Sequence, residues 1–198
     1  MSLHYLHEPE LTLPDMICAW PGIGQVAVTV AETLRDCLGS TLFAEIDPAP
    51  FFYPLRATVH KGLLEDMEFP TSHFYFSHAE NRDLIVFIGE AQPREQDGLY
   101  GDGRPAYRLA NMVLDVAEKF RCRRIYTSGA AVTQIHHSTP SLVWAVPNDP
   151  SLIDELSQQQ DVILMSQVTE GNEQGFISGL NGLLVGIARK RGLEAICL

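Results

Sequence analysis

The sequence is short of cysteine, short of positive charge and without a long apolar run, and each shortage excludes something. Its four cysteines, Cys18, Cys37, Cys122 and Cys197, are scattered through 198 residues. No two stand at the spacing of a metal-ligand pair or a redox motif, so no metal site and no cofactor is expected. Cys18 and Cys197 fall inside apolar, strand-like runs, where a free thiol behaves as a small hydrophobe. A reducing, cytoplasmic setting is the simplest reading. Only 14 Lys and Arg stand against 25 Asp and Glu, for a net charge of -11. Nucleic acid or an anionic membrane would be repelled by such a chain. The basic clusters Arg121-Cys122-Arg123-Arg124 and Arg189-Lys190-Arg191 read as solvated helix ends, where positive charge suits the dipole. No apolar stretch approaches the roughly 20 residues of a membrane span. Residues 1–14 are polar, with His4, His7, Glu8 and Glu10, and hold no signal-peptide core. They are expected as an N-terminal extension free to be flexible, ahead of a single domain over 15–198.

What is present is an alternation of strands and helices. Met16 to Trp20 reads as a short buried strand stopped by Pro21-Gly22-Ile23-Gly24. Gln25 to Leu38 places Val26, Val30, Leu34 and Leu38 at helical spacing, with Gly39 as the stop. Thr41 to Ile46 follows as a second strand, completing a βαβ unit whose strands should run parallel. Leu55 to His60 and His73 to Ser77 read as strands with a turn over Lys61 to Asp66 and no helix between, so a hairpin or antiparallel excursion is expected at one sheet edge. Asp83 to Gly89 is a near-continuous apolar run, as in a strand covered on both faces. Pro105 to Phe120 is a helix, Arg124 to Thr127 and Leu142 to Val146 are strands, and Ser151 to Gln159 is a short helix capped by Asn148 or Asp149. Phe176 to Arg191 reads as the last helix, Gly192 as its stop and Leu193 to Leu198 as the last strand. Gly175, Gly179, Gly182 and Gly186 recur on one face, which suggests close backbone packing. The fold class is α/β: three layers, a mostly parallel sheet with helices on both faces, and an antiparallel edge.

In such sheets ligands bind beyond the carboxyl ends of the strands. Three turns should gather there: Pro21 to Gln25, Gly89 to Pro93, and Ser128 to Thr133. The first matches a loose dinucleotide pattern in Gly22, Gly24 and Ala27, with Glu45 or Asp47 as the later acid. A tight structural turn needing small residues is the other reading. Glu90 and Gln92 close the central strand; a carboxylate there could serve as acid or base, or accept hydrogen bonds from loop N–H groups. Ser128 lacks the G-x-S-x-G elbow of a nucleophile. The candidate crevice therefore comprises Gly22, Gly24, Gln25, Glu90, Gln92, Ser128, Gly129 and Asn181. His136 and His137 are adjacent, so on an extended segment they point apart and make poor joint metal ligands.

Several stretches together resemble the proteasome assembly chaperone 2 family. They are Trp20-Pro21-Gly22-Ile23-Gly24, Phe43-Ala44-Glu45-Ile46-Asp47-Pro48, and Asp83 to Gly89 continued by Glu90-Ala91-Gln92-Pro93. They go on with Arg124 to Ala130, Ile177-Ser178-Gly179-Leu180-Asn181-Gly182-Leu183-Leu184 and Arg191 to Leu198. The resemblance implies a fold similar to nucleoside phosphorylases and peptidyl hydrolases, without an established catalytic site. It also implies self-association and a chaperone role in assembling proteasome α-subunits. Relatives can carry a hydrophobic-Tyr-any tail that docks on the proteasome. Here the residues are Ile196-Cys197-Leu198, with Cys in the place of Tyr, so that docking is not carried over.

Two functions follow as expectations. One is a non-enzymatic, homo-oligomeric assembly or scaffold protein, with proteasome subunits as partners where the source has proteasomes. Its interface material would lie in Phe51-Phe52-Tyr53 and Phe74-Tyr75-Phe76, which read equally as core aromatics. The other is a small-molecule enzyme or sensor, for a nucleoside or nucleotide-like ligand, using the crevice at the strand ends.

Overall fold

The computed structural model describes residues 3–93, 104–132, 136, 138–165 and 175–198. Its elements in order are β1 (Leu3–Tyr5), β2 (Asp15–Ala19), α1 (Val26–Cys37), β3 (Thr41–Ile46), β4 (Arg56–His60), β5 (Leu63–Glu68) and β6 (Ser72–Ser77). Then come β7 (Leu84–Gly89), α2 (Arg104–Lys119), β8 (Arg124–Thr127), β9 (Val143–Pro147), α3 (Leu152–Ser157), β10 (Val162–Leu164), α4 (Gly179–Lys190) and β11 (Ala195–Cys197).

Nine strands make one sheet in the order β1-β3-β6-β7-β2-β8-β11-β9-β10. Its centre, β7-β2-β8-β11, is parallel throughout. On one side β6, β3 and β1 continue it antiparallel. On the other, β9 runs antiparallel to β11, and β10 parallel to β9. β2 and β3 do run the same way, but β6 and β7 lie between them. Residues 3–5, within the expected extension, pair with β3, Leu3 opposite Ile46 and Tyr5 opposite Ala44.

The sheet is covered on both faces because its strands alternate two apolar sets. Met16, Cys18, Phe43, Phe74, Ile85 and Phe87 pack with Leu109, Val113 and Val116 of α2 and with Leu180, Leu184 and Ile187 of α4. Ala19, Val86 and Ile88 pack with Ala27 and Ala31 of α1. Ala145, Leu164 and Ile196 pack with Leu152 and Leu156 of α3.

α1 departs from its expected orientation. Val26, Val30 and Leu38 were the inward stripe of the sequence pattern, yet they are exposed, and the buried residues are Ala27 and Ala31. Small side chains let the helix lie close on the sheet, and the larger valines point away. The helical glycines split as well. A Cβ on Gly182 would stand 2.5 Å from the Ile177 carbonyl oxygen, whereas one on Gly186 would meet nothing within 4 Å. Only the first of these is close packing. α4 also begins later than the sequence pattern placed it, at Gly179, leaving Phe176 92% exposed.

Two basic clusters divide. Arg191 reaches Asp115 and the Asn111 carbonyl of α2 and so ties α4 to α2. Arg123 and Arg124 are not solvated helix ends. Arg123 holds Asp15 through two bonds. Arg124, its side chain 5% exposed, grips Glu155 through both terminal guanidinium nitrogens at 2.7 and 2.8 Å and Glu194 at 3.0 Å. Asn148 is likewise an internal pin, bonding the Leu193 carbonyl and the Ala195 N–H, while Asp149 accepts the Ser151 N–H ahead of α3.

All four cysteines are free. Burial pushes the Cys122 thiol up to about 12 and holds the Cys18 and Cys197 thiols above their ordinary range. The thiolate is the reactive form, so at pH 8 a thiol reagent should modify exposed Cys37 rapidly and the other three only as the fold opens. One fast thiol in native protein and four in denaturant is the expected count. Two or more fast thiols before unfolding would contradict the packing.

Candidate functional site

The strand ends bring the three turns together. β7, β2 and β8 are adjacent and parallel, with Ala19 opposite Ile88 and Cys18 opposite Thr127. Residues 20–25, 90–93 and 128–129 therefore leave the sheet side by side. Thr133 and His137 lie outside the described residues. His136 is exposed and bonds Ser138 through Nδ1.

The first turn is tightly wound. Gly24 and Gln25 have φ of +63° and +57°, so the chain takes two left-handed steps before α1. Ala27, the third position of the loose dinucleotide pattern, is buried against the sheet. Of the proposed acids, Glu45 stands 3.6 Å from His73 and Asp47 accepts the Ala49 N–H.

Three polar side chains of the crevice, Asn181, Gln92 and Glu90, are bonded to backbone. Asn181, 6% exposed, accepts the Trp20 N–H at Oδ1 and donates from Nδ2 to the Trp20 carbonyl, both at 3.2 Å. It gives the end of β2 the two bonds that a neighbouring strand would supply. Gln92 donates from Nε2 to the Pro21 carbonyl at 2.6 Å and accepts the Leu180 N–H at Oε1, 2.8 Å. A Cβ on Gly179, whose φ is +76°, would come within 2.9 Å of that oxygen, so the close approach needs glycine. Glu90 accepts the Thr71 N–H at 2.8 Å and donates its own N–H to the Thr71 carbonyl. The Gly129 N–H donates to the Leu198 carbonyl. Ser128 is half-buried at the end of β8.

Together Asn181 and Gln92 form a latch that fixes the turn after β2 to the start of α4. Trp20 is fully buried beneath it; a Cβ on Gly89 would stand 2.5 Å from the indole ring. Among the described residues the indole N–H has no hydrogen-bond partner. Two surface hollows of about 550 Å³ lie elsewhere, one lined by Pro9, Lys119 and Arg121, the other by Leu3, Tyr107 and Met112. Among the described residues no three His, Cys, Asp or Glu side chains are grouped to hold a metal ion. No helix among them is long and apolar enough to cross a membrane.

A second feature was expected from the sequence only as a hairpin or antiparallel excursion at the sheet edge. β4 and β5 pair only with each other, as a two-stranded sheet outside the main one. Residues 61–66 are not all turn. Lys61 and Gly62, with φ of +51° and +81°, make the whole reversal, as a two-residue hairpin turn requires, and Leu63 already belongs to β5. Every residue of both strands is exposed except Glu68, which is half-buried. Of the two aromatic stretches, which the sequence offered as core or interface, most residues are core: Phe51 and Phe74 are buried, and only Tyr53 is well exposed.

The described fold has relatives. The model of the PAC2 family matches residues 16–198. Among solved structures, PbaB of Pyrococcus furiosus, an archaeal proteasome activator, is 26% identical with a TM-score of 0.80, covering 99% of this chain and 78% of its own. A PAC2 family protein from Streptomyces avermitilis is 17% identical with a TM-score of 0.68, covering 93% and 73%. PbaA of Pyrococcus furiosus, an archaeal homolog of proteasome-assembly chaperone, is 18% identical with a TM-score of 0.65, covering 99% and 74%. No curated protein matches the chain.

Proposed function

The chain belongs to the PAC2 family, and on that footing we propose that it is a non-enzymatic assembly or scaffold protein. In this reading it self-associates, resides in the cytoplasm and works through contacts with other protein chains. Where its source has proteasomes, their subunits are the partners, in keeping with relatives described as a proteasome activator and a proteasome-assembly chaperone homolog.

One observation carries the reading: the side chains of Gln92, Asn181 and Glu90, the amides and the carboxylate of the crevice, are bonded to backbone. A small-molecule site needs convergent polar groups left for the ligand. Here Gln92 and Asn181 each bond backbone through both ends of the amide, and Glu90 bonds Thr71. The four free cysteines agree with a reducing compartment.

The test is a thermal-shift screen against nucleosides, nucleotides and phosphate, with mass measured by light scattering at micromolar concentration. The expected outcome is an oligomer and no ligand that raises the melting temperature. A ligand that raises it with concentration as mass action requires would overturn the non-enzymatic reading. A single-chain mass would overturn self-association.

A further inference from the structure

On one side of the sheet, α1 packs on Ala19 of β2 and on Val86 and Ile88 of β7. The strands β6, β3 and β1 extend the sheet beyond β7, and a row of ionisable side chains crosses them on that same side. The register sets His4 of β1 opposite Glu45 of β3, and Glu45 opposite His73 of β6. Residues directly opposite share a face, with Cβ atoms about 4.5–5.5 Å apart. His73 is also opposite Ile88, which packs with α1. Tyr5 and Phe74, the next residues along β1 and β6, pack into the core of the other face. His4 is exposed, and the side chains of Glu45 and His73 keep 44% and 24% of their surface.

The contact between His73 and Glu45 is spaced for a metal ion better than for a hydrogen bond. His73 Nε2 stands 3.6 Å from Glu45 Oε2, too far for a hydrogen bond. Two ligand atoms that are each about 2.0–2.2 Å from a tetrahedral zinc stand about 3.3–3.6 Å from one another. The other ring nitrogen, Nδ1, meets the Tyr75 hydroxyl at 3.4 Å. Tyr75 is itself held by Arg35, which bonds it and lies 5.3 Å from the ring centre. A ligating imidazole donates its second N–H to such a partner, which fixes the tautomer and leaves Nε2 bare for the ion.

We propose that His4, Glu45 and His73 form a binding site for a divalent cation of the zinc class. His73 Nε2 and a carboxylate oxygen of Glu45 supply two ligands, the imidazole of His4 the third, and solvent the fourth. Two imidazoles and one carboxylate are a donor set suited to such ions. As they stand the three side chains are not gathered on one point. His4 is the one that turns in, and an exposed side chain changes rotamer within ps to ns. Spacing along the chain gives no hint of the site, because its ligands come from three strands brought together by pairing. The ion ties the three-residue β1 to β3 and β6, so its binding is coupled to the order of this sheet edge.

The test is calorimetric titration of the full chain with Zn²⁺, alongside nitrogen-15 NMR of the histidine rings. Every protein carries Cys37→Ser, because an exposed free thiol also takes zinc. Melts without metal confirm that each variant folds; His4, exposed on an edge strand, is the safest to change. One Zn²⁺ per chain is expected, with the ring nitrogens of two histidines shifted. His4→Ala and His73→Ala should each weaken binding about a hundredfold or more, and Tyr75→Phe about tenfold. His78→Ala should leave binding unchanged. Saturating Zn²⁺ should raise the melting temperature of the Cys37→Ser chain and not that of its His4→Ala variant. A chain that takes up no zinc would overturn the site. Uptake that His4→Ala leaves intact would overturn it too, reducing His73 and Glu45 to an ion pair and the zinc to an adventitious ion only.

Discussion

Asn181→Leu is expected to lower stability by about 2–5 kcal/mol, because it leaves the Trp20 N–H and carbonyl buried without partners at about 1–3 kcal/mol each. For a chain of this length that is a fall in melting temperature on the order of 5–15 °C. The leucine fills nearly the same volume, so lost packing contributes little. Asn181→Asp separates the latch from mere space-filling. Its second oxygen would face the Trp20 carbonyl, acceptor against acceptor, unless the carboxyl is protonated. The folded-state pKa of that carboxyl is therefore raised above the unfolded value of about 4. The deficit of the Asp variant should be small below pH 4 and grow as pH rises toward neutrality, while that of the Leu variant stays flat. Thermal melts from pH 3.5 to 8 read both. An Asn181→Leu melting temperature equal to wild type would show that the residue does not hold β2, and would return it to the pool of ligand groups.

Arg124→Met should cost about 2–3 kcal/mol at neutral pH, allowing for carboxylate partners that are about half exposed and recover hydration. The hydrogen bonds from Arg124 hold the Glu155 carboxyl below its ordinary value. A depressed carboxylate contributes stability that is present above the unfolded pKa, near 4.3, and is lost as pH falls through the folded one. Wild type and variant should therefore differ at pH 7 and converge below about pH 4. Denaturant midpoints across that range give the difference directly, and a gap independent of pH would mean that Arg124 acts through packing of its stem alone.

Where the sequence was legible, local chemistry was enough. The apolar run ending in Gly89 reads as a central strand because both its faces are covered, and it is one. The turns after β2, β7 and β8 could be placed at one end of the sheet because parallel strands share a direction. The inner face of α1 was not legible, since periodicity weighs valine above alanine while close contact with a sheet favours alanine. The role of Arg124 was hidden because its partners stand 31 and 70 residues away. Gln92 and Asn181 were found as polar groups at the strand ends, but their bonds to Pro21, Leu180 and Trp20 join segments distant in the chain. The hairpin was foreseen in kind. Its alternation over Ala57, Val59, Leu64 and Met67 was obscured by a register shift between Thr58 and Val59, which breaks the simple period of two.

The position of β11 bears on how the protein is made. That strand lies between β8 and β9, and among the described residues β9 and β10 join the sheet only through it. A nascent chain that has emerged as far as residue 194 therefore carries β8 with an open edge and two strands with nowhere to attach. Pairings over such sequence distances are slow to form, and unpaired edges on an unfinished sheet invite other chains. Commitment to the fold comes only when residues 195–197 have emerged, so the strand that closes the sheet is made after every strand it joins.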